Sequence, residues 1–162
     1  MYAAVARGDA AAVRAVVTAD RSVLETSFLG ANWLHWAAMS GRVELLEVLT
    51  NEGMRIDQLT DDGFRTPLVT AAGQGHVKAC EWLLDHGADI NHGIGKSATP
   101  VFSAIFSKSL ELVELFVARG ADLGATFGEP SRDVLGYAKV YGTPQIVAFL
   151  RNPGGDPSSP PV

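Results

Sequence analysis

Apolar side chains recur along this chain at helical spacing, in short bursts separated by glycines and small polar residues. The clearest burst is Thr66–Asn91, TPLVTAAGQGHVKACEWLLDHGADIN. Pro67 suits the first position of a helix, where its φ is preset and no backbone bond is lost. Ala71 and Ala72 are small, so a neighbouring helix can approach closely. Gly75 stops that helix and His76 opens a turn. Ala79, Cys80, Trp82, Leu83 and Leu84 then form the apolar face of a second helix. Gly87 ends it in the left-handed conformation that glycine adopts cheaply. The pattern predicts one helix–turn–helix unit of two short antiparallel helices.

The unit recurs. Its inter-helix glycine falls at Gly8, Gly41, Gly75 and Gly142, with Lys108 in the fourth place, so successive markers lie 33 or 34 residues apart. The residue ending the second helix keeps the same period, at Asp20, Gly53, Gly87 and Gly120. Two independent markers with one period predict stacked units, at about 1–29, 30–63, 64–96, 97–130 and 131–151. The 34-residue steps place one extra residue in each of the loops 54–65 and 121–132, where insertions cost little.

Period and residues together resemble the ankyrin repeat, with its TPLH-x-AA start, Gly-His turn, leucine-rich helix and GA-D-x-N end. The third copy carries the resemblance best, in TPLVTAAGQGH and LLDHGADIN. The second, NWLHWAAMSGRVELLEVLTNEG, has Asn32 and Trp33 in place of Thr-Pro but keeps Leu34, His35, Ala37 and Ala38. The fourth, TPVFSAIFSKSLELVELFVARGAD, has Phe102 in place of His. The first and last copies are degenerate, as terminal units with one face in water should be. The resemblance covers roughly residues 3–150. It implies an all-α solenoid in which first helices and loop tips line a concave side and second helices form the convex back. It also implies that His35 ties its loop to a neighbour and that His76 bridges adjacent turns.

Composition narrows the function. A net charge of −5 argues against nucleic acid and against anionic membrane surfaces. No apolar run reaches the ~18 residues of a transmembrane helix. MYAAVARGD lacks the features of a signal peptide, so the expected compartment is the cytoplasm. One cysteine excludes an intrachain disulfide and a cysteine-based zinc site. Residues 152–162, rich in proline, read as a tail or linker.

Little in the chain points to catalysis. Gly95–Ser97 (GKS) resembles the end of a phosphate-binding loop, but Ile90 stands where that motif needs its first glycine. The four histidines show no HxH or HxxxH spacing, so neither metal nor cofactor is expected. Cys80 lies on an apolar helix face, unlike a reactive thiol. Asp61 and Asp62 form an acidic loop tip, suited either to solubility or to a basic partner.

The aromatic residues carry the functional expectation. Trp82 belongs to the core. Trp36 falls on the groove side, and Met39, Gly73, Phe106 and Val140 form an equivalent row along it. The candidate partner-binding residues are Phe28, Leu29, Trp33, Trp36, Met39, Phe64, Arg65, Phe106, Ser107 and Tyr141, of the types that dominate binding hot spots. The alternative is that these rings fold down and hold the stack together. The expected function is non-catalytic recognition of another protein by a monomer, with self-association through the groove left open. A spacer or targeting domain of a larger protein is the rival reading; an enzyme is the least favoured.

Overall fold

The computed structural model describes residues 1–93 and 99–153. The GKS segment, the boundary at residues 96 and 97, and most of the proline-rich tail lie outside them. The elements in order are α1 (Tyr2–Arg7), α2 (Ala10–Ala19), a 3-10 turn (Arg21–Glu25), β1 (Ser27–Phe28), β2 (Ala31–Asn32), α3 (Trp33–Met39) and α4 (Val43–Asn51). They continue with α5 (Pro67–Gly73), α6 (Val77–Asp85), α7 (Pro100–Phe106), α8 (Leu110–Ala118), β3 (Thr126–Phe127), β4 (Arg132–Asp133), α9 (Val134–Tyr141) and α10 (Pro144–Arg151). Each strand pair is a small antiparallel hairpin, Phe28 opposite Ala31 and Phe127 opposite Arg132.

Local chemistry sets where the helices begin. The Asn32 side-chain oxygen accepts from the Leu34 and His35 amides, that of Thr66 from Val69, and that of Asp133 from Gly136. Each satisfies amide groups that a helix start leaves without partners. Pro67 and Pro100 stand at first helical positions, as the sequence pattern requires, and Pro144 opens α10, a second helix, in the same way.

Helices this short are unstable alone, so the stack supplies their stability. Odd-numbered helices touch in one row, α1 to α3 to α5 to α7 to α9, and even-numbered helices in a second. The core lies between the rows. Ala37, Ala38, Ala71, Ala72, Ala104 and Ala138 are fully buried where first helices meet. Leu45, Leu46 and Leu49 of α4, Cys80 and Leu83 of α6, and Leu112, Val113 and Phe116 of α8 close it from the other row. This is an all-α solenoid.

The turn glycines behave in two ways. Gly41 has a φ of +67°, and a Cβ there would lie 2.7 Å from the His76 ring, so both conformation and space demand glycine. Lys108 takes up the same left-handed geometry, at φ +60°, at its own cost. Gly142 does not: its φ is −82°, and it is needed because a Cβ would meet the Ala138 carbonyl oxygen at 2.8 Å.

Polar ties repeat between units. His76 Nε2 lies 3.0 Å from the Met39 carbonyl oxygen. Asn91 Nδ2 donates to the Gly120 carbonyl and its Oδ1 accepts from the Asp122 amide. Arg21 pairs with Glu52 and Arg119 with Asp85. Exposed ion pairs contribute only about 0–1 kcal/mol each, so these fix register more than they hold the stack.

Trp33 departs from expectation. It is 5% exposed, and its Nε1 donates to the Val23 carbonyl (2.7 Å) and to Thr26 Oγ1 (3.1 Å). At the first position of α3 it points back onto the 3-10 turn and belongs to the core, not to an accessible groove. Trp82 departs the other way: it is half-buried, with its ring stacked on His86 at 3.8 Å.

Candidate partner-binding groove

One face of the first-helix row, together with the loop tips, forms a continuous trough with two hollows. The larger, about 520 Å³, is lined by Met39 of α3, Val69, Thr70 and Gly73 of α5, and Ser103 and Phe106 of α7. Phe64 and Arg65 close it on one side, and Phe127 and Tyr137 on another. The smaller, about 290 Å³, is lined by Leu29, Trp36, Thr60 and Asp62. Met39, Arg65 and Thr70 belong to both, so the hollows join there.

The row of equivalent positions explains the larger hollow. Met39 and Phe106 flank Gly73, and a Cβ at Gly73 would meet nothing within 4 Å. The missing side chain is the empty space. Phe106 is 64% and Phe64 53% exposed, so both offer apolar area to solvent.

Trp36 anchors one end. Its ring meets Tyr2 edge-on at 5.5 Å and Phe28 at 5.7 Å, and its Nε1 donates to the Phe28 carbonyl. Tyr2 and Phe28 are themselves 4.6 Å apart. The hairpin turn beside them, Leu29–Gly30, has positive φ at both residues (+53° and +78°), the geometry that matches strand twist in a two-residue hairpin. Leu29 sits at that tip 82% exposed. At the other end Phe102, Phe127, Tyr137 and Tyr141 form a second cluster with centroids 4.5–6.0 Å apart.

The loop tip between these ends is built from polar residues. Thr60 and Arg65 bond across it: the Thr60 amide donates to the Arg65 carbonyl, and the Arg65 amide to Thr60 Oγ1. Asp62 accepts from Thr60 Oγ1 and from the Phe64 amide, bonds that hold its carboxyl below the usual range. Asp61 accepts from Ser27 Oγ of the preceding hairpin. His35 ties the tip to α3, with Nε2 2.9 Å from the Arg65 carbonyl oxygen and Nδ1 2.8 Å from Asn32 Oδ1. Burial pushes the His35 imidazole below its ordinary pKa, against the Arg65 carbonyl and the Asp62 and Asp61 charges, which pull it up.

The structure thus brings Leu29, Trp36, Met39, Phe64, Arg65 and Phe106 to one trough, and Phe28 reaches it only through Trp36. Ser107 is half-buried and its hydroxyl donates to the Ala104 carbonyl, ending its own helix outside the trough lining. Tyr141 is exposed and reaches the trough only through Tyr137. Tyr2, Phe127 and Tyr137 were not foreseen; the helical period of the last unit, which puts Tyr137 one turn before Tyr141, was the available signal. Among the described residues no three His, Cys, Asp or Glu side chains gather as a metal would need, and no helix is long and apolar enough to cross a membrane.

A family model of ankyrin repeats in three copies matches residues 1–94 and again residues 35–127. The chain belongs to the ankyrin-repeat family. Ankyrin repeats serve generally as protein-interaction modules and are typically non-catalytic. Among its relatives is the inactive serine/threonine-protein kinase TEX14 of Mus musculus, 31% identical over 121 residues, which are 73% of this chain and 8% of that protein. A transient receptor potential cation channel subfamily A member 1 homolog of Caenorhabditis elegans is 31% identical over 117 residues, 72% of this chain and 10% of the channel. The palmitoyltransferase ZDHHC13 of Mus musculus is 40% identical over 74 residues, 46% of this chain and 12% of that enzyme. The chain spans about a tenth of the length of these curated relatives.

Proposed function

We propose that this ankyrin-repeat chain is a non-catalytic recognition module that binds a partner protein in the trough. The observation that carries the reading is the contiguity of its exposed apolar side chains. Leu29, Phe64 and Phe106 stand open to solvent, beside the half-buried Trp36 and Met39, along two joined hollows. Scattered apolar side chains are ordinary on a protein surface; a joined strip of them is not. Leu29 adds to this, because a leucine at φ +53° is strained by about 1–2 kcal/mol and its exposure returns nothing in the free chain. The stack is rigid, so binding costs little ordering and a few anchors suffice.

The chain acts as a monomer in the cytoplasm under this reading, consistent with its acidic charge and single cysteine. The test is affinity capture from cells of the source, wild type beside a folded Trp36→Ala/Phe106→Ala double mutant. A protein retained by the wild type and lost by the mutant supports the trough. Equal capture by both moves the site to the α4–α6–α8 side. A spacer or targeting role is equally consistent with the relatives, which carry this stretch as a small part of long chains; capture of nothing by either form supports that role.

A further inference from the structure

Arg65 is the one charged side chain lining the larger hollow, and it stands where the two hollows join. The chain is acidic overall, and two carboxylates are near in sequence, yet among the described residues Arg65 makes no ion pair. Asp62 Oδ1 accepts from Thr60 and the Phe64 amide, and Asp61 Oδ2 from Ser27, bonds that anchor both carboxylates to the loop. The Arg65 backbone, in contrast, is pinned three times: its amide donates to Thr60 Oγ1, and its carbonyl accepts from the Thr60 amide and lies 2.9 Å from His35 Nε2. An exposed side chain on a fixed base, with the apolar wall of the larger hollow on one side and Thr60 and Asp62 of the smaller on the other, is prepared for a planar anion. Arginine binds a carboxylate through two parallel bonds, and neighbouring apolar walls strengthen such a pair by keeping water away.

We infer that the trough takes an extended segment of a partner protein carrying an Asp or Glu side chain, whose carboxylate pairs with Arg65. An apolar side chain on one flank of that acid fills the space left by Gly73, between Met39 and Phe106. An apolar side chain on the other flank lies against Trp36 and Leu29. This rests on the recognition reading above and specifies the chemistry of its partner.

The test is a library of random peptides displayed on phage and selected on the whole chain. Selected peptides are then titrated against the wild type and against Arg65→Gln, Arg65→Glu, Arg65→Lys and Gly73→Leu. The expected peptides carry an acid between apolar residues. Arg65→Gln weakens them about tenfold or more, as loss of a charged hydrogen-bonded pair does; Arg65→Glu abolishes binding, and Arg65→Lys restores part of it. Melting temperatures stay close to wild type in all three, because the bonds that hold the tip are made by the Arg65 backbone. Peptides without an acid preference, or with equal affinity for Arg65→Gln, overturn the carboxylate assignment; if Gly73→Leu still blocks them, trough recognition itself stands. Enrichment of basic peptides overturns the assignment in favour of Asp61 and Asp62. Peptides that bind Gly73→Leu as well as wild type, or a library that yields no binder, overturn both.

Discussion

Replacing Gly73 by leucine separates function from stability. Gly73 is the last residue of α5, its φ is not positive, and nothing lies within 4 Å of where a Cβ would be. Glycine inside a helix is about 0.5–1 kcal/mol worse than alanine, and leucine is nearly as good as alanine. At a helix end the gain is at the lower limit, about 0.5 kcal/mol, which for a chain of this size raises Tm by roughly 1–2 °C. The new side chain enters the hollow of about 520 Å³ between Met39 and Phe106, the space an incoming apolar group would use. Circular dichroism melts should show an unchanged or slightly raised Tm. Fluorescence anisotropy with a peptide selected on the wild type should show affinity reduced by about tenfold or more, the cost of losing one well-filled pocket. A Tm lowered by several degrees would mean that the Gly73 face is packed after all. Unchanged affinity would mean that the hollow is not where segments bind.

Trp33→Ala should destabilise by about 3–5 kcal/mol, because the ring is core and its loss leaves a cavity and removes two hydrogen bonds; a denaturant midpoint near wild type would contradict that placement. Burial holds the His35 pKa below its unfolded value of about 6.5, so the neutral ring is the form the fold prefers. Its contribution is full above that value and is lost as pH falls below it. The stability difference between pH 7.5 and 5.5 should therefore shrink in His35→Gln, and an identical difference in both forms would refute the assignment. The Cys80 thiol is buried and pushed up to about 12; its reaction with a thiol reagent should follow global unfolding, and fast labelling of the native chain would contradict this.

The helical pairs and their stacking were legible because period, proline placement and turn glycines are local signals that agree. Gly142 shows where that agreement ends: the marker kept its spacing, but its space is set by the Ala138 carbonyl of the same helix and its backbone is not left-handed. In the trough, Met39, Gly73 and Phe106 were legible from equivalence between units. Trp33 was not, since its fate depends on acceptors at Val23 and Thr26, on a 3-10 turn that has no counterpart in the repeat pattern. Phe127 and Tyr137 were missed for a related reason. Their contact joins a hairpin to the helix that follows it; the helical period pairs Tyr137 with Tyr141 but carries no trace of the hairpin ring. Val140, placed in the row by spacing, is exposed but lies outside the lining of either hollow, where Tyr137 stands instead.

The claim that the trough is the recognition surface is tested most directly by hydroxyl-radical footprinting of the chain, free and bound to a captured partner. Met39, Phe64 and Phe106 report on the trough, and half-buried Trp82, stacked on His86 in the second-helix row, reports on the opposite face. Oxidation of the first three should fall on binding while that of Trp82 stays constant. Protection of Trp82 with Met39, Phe64 and Phe106 unchanged would put recognition on the back of the stack and contradict the account.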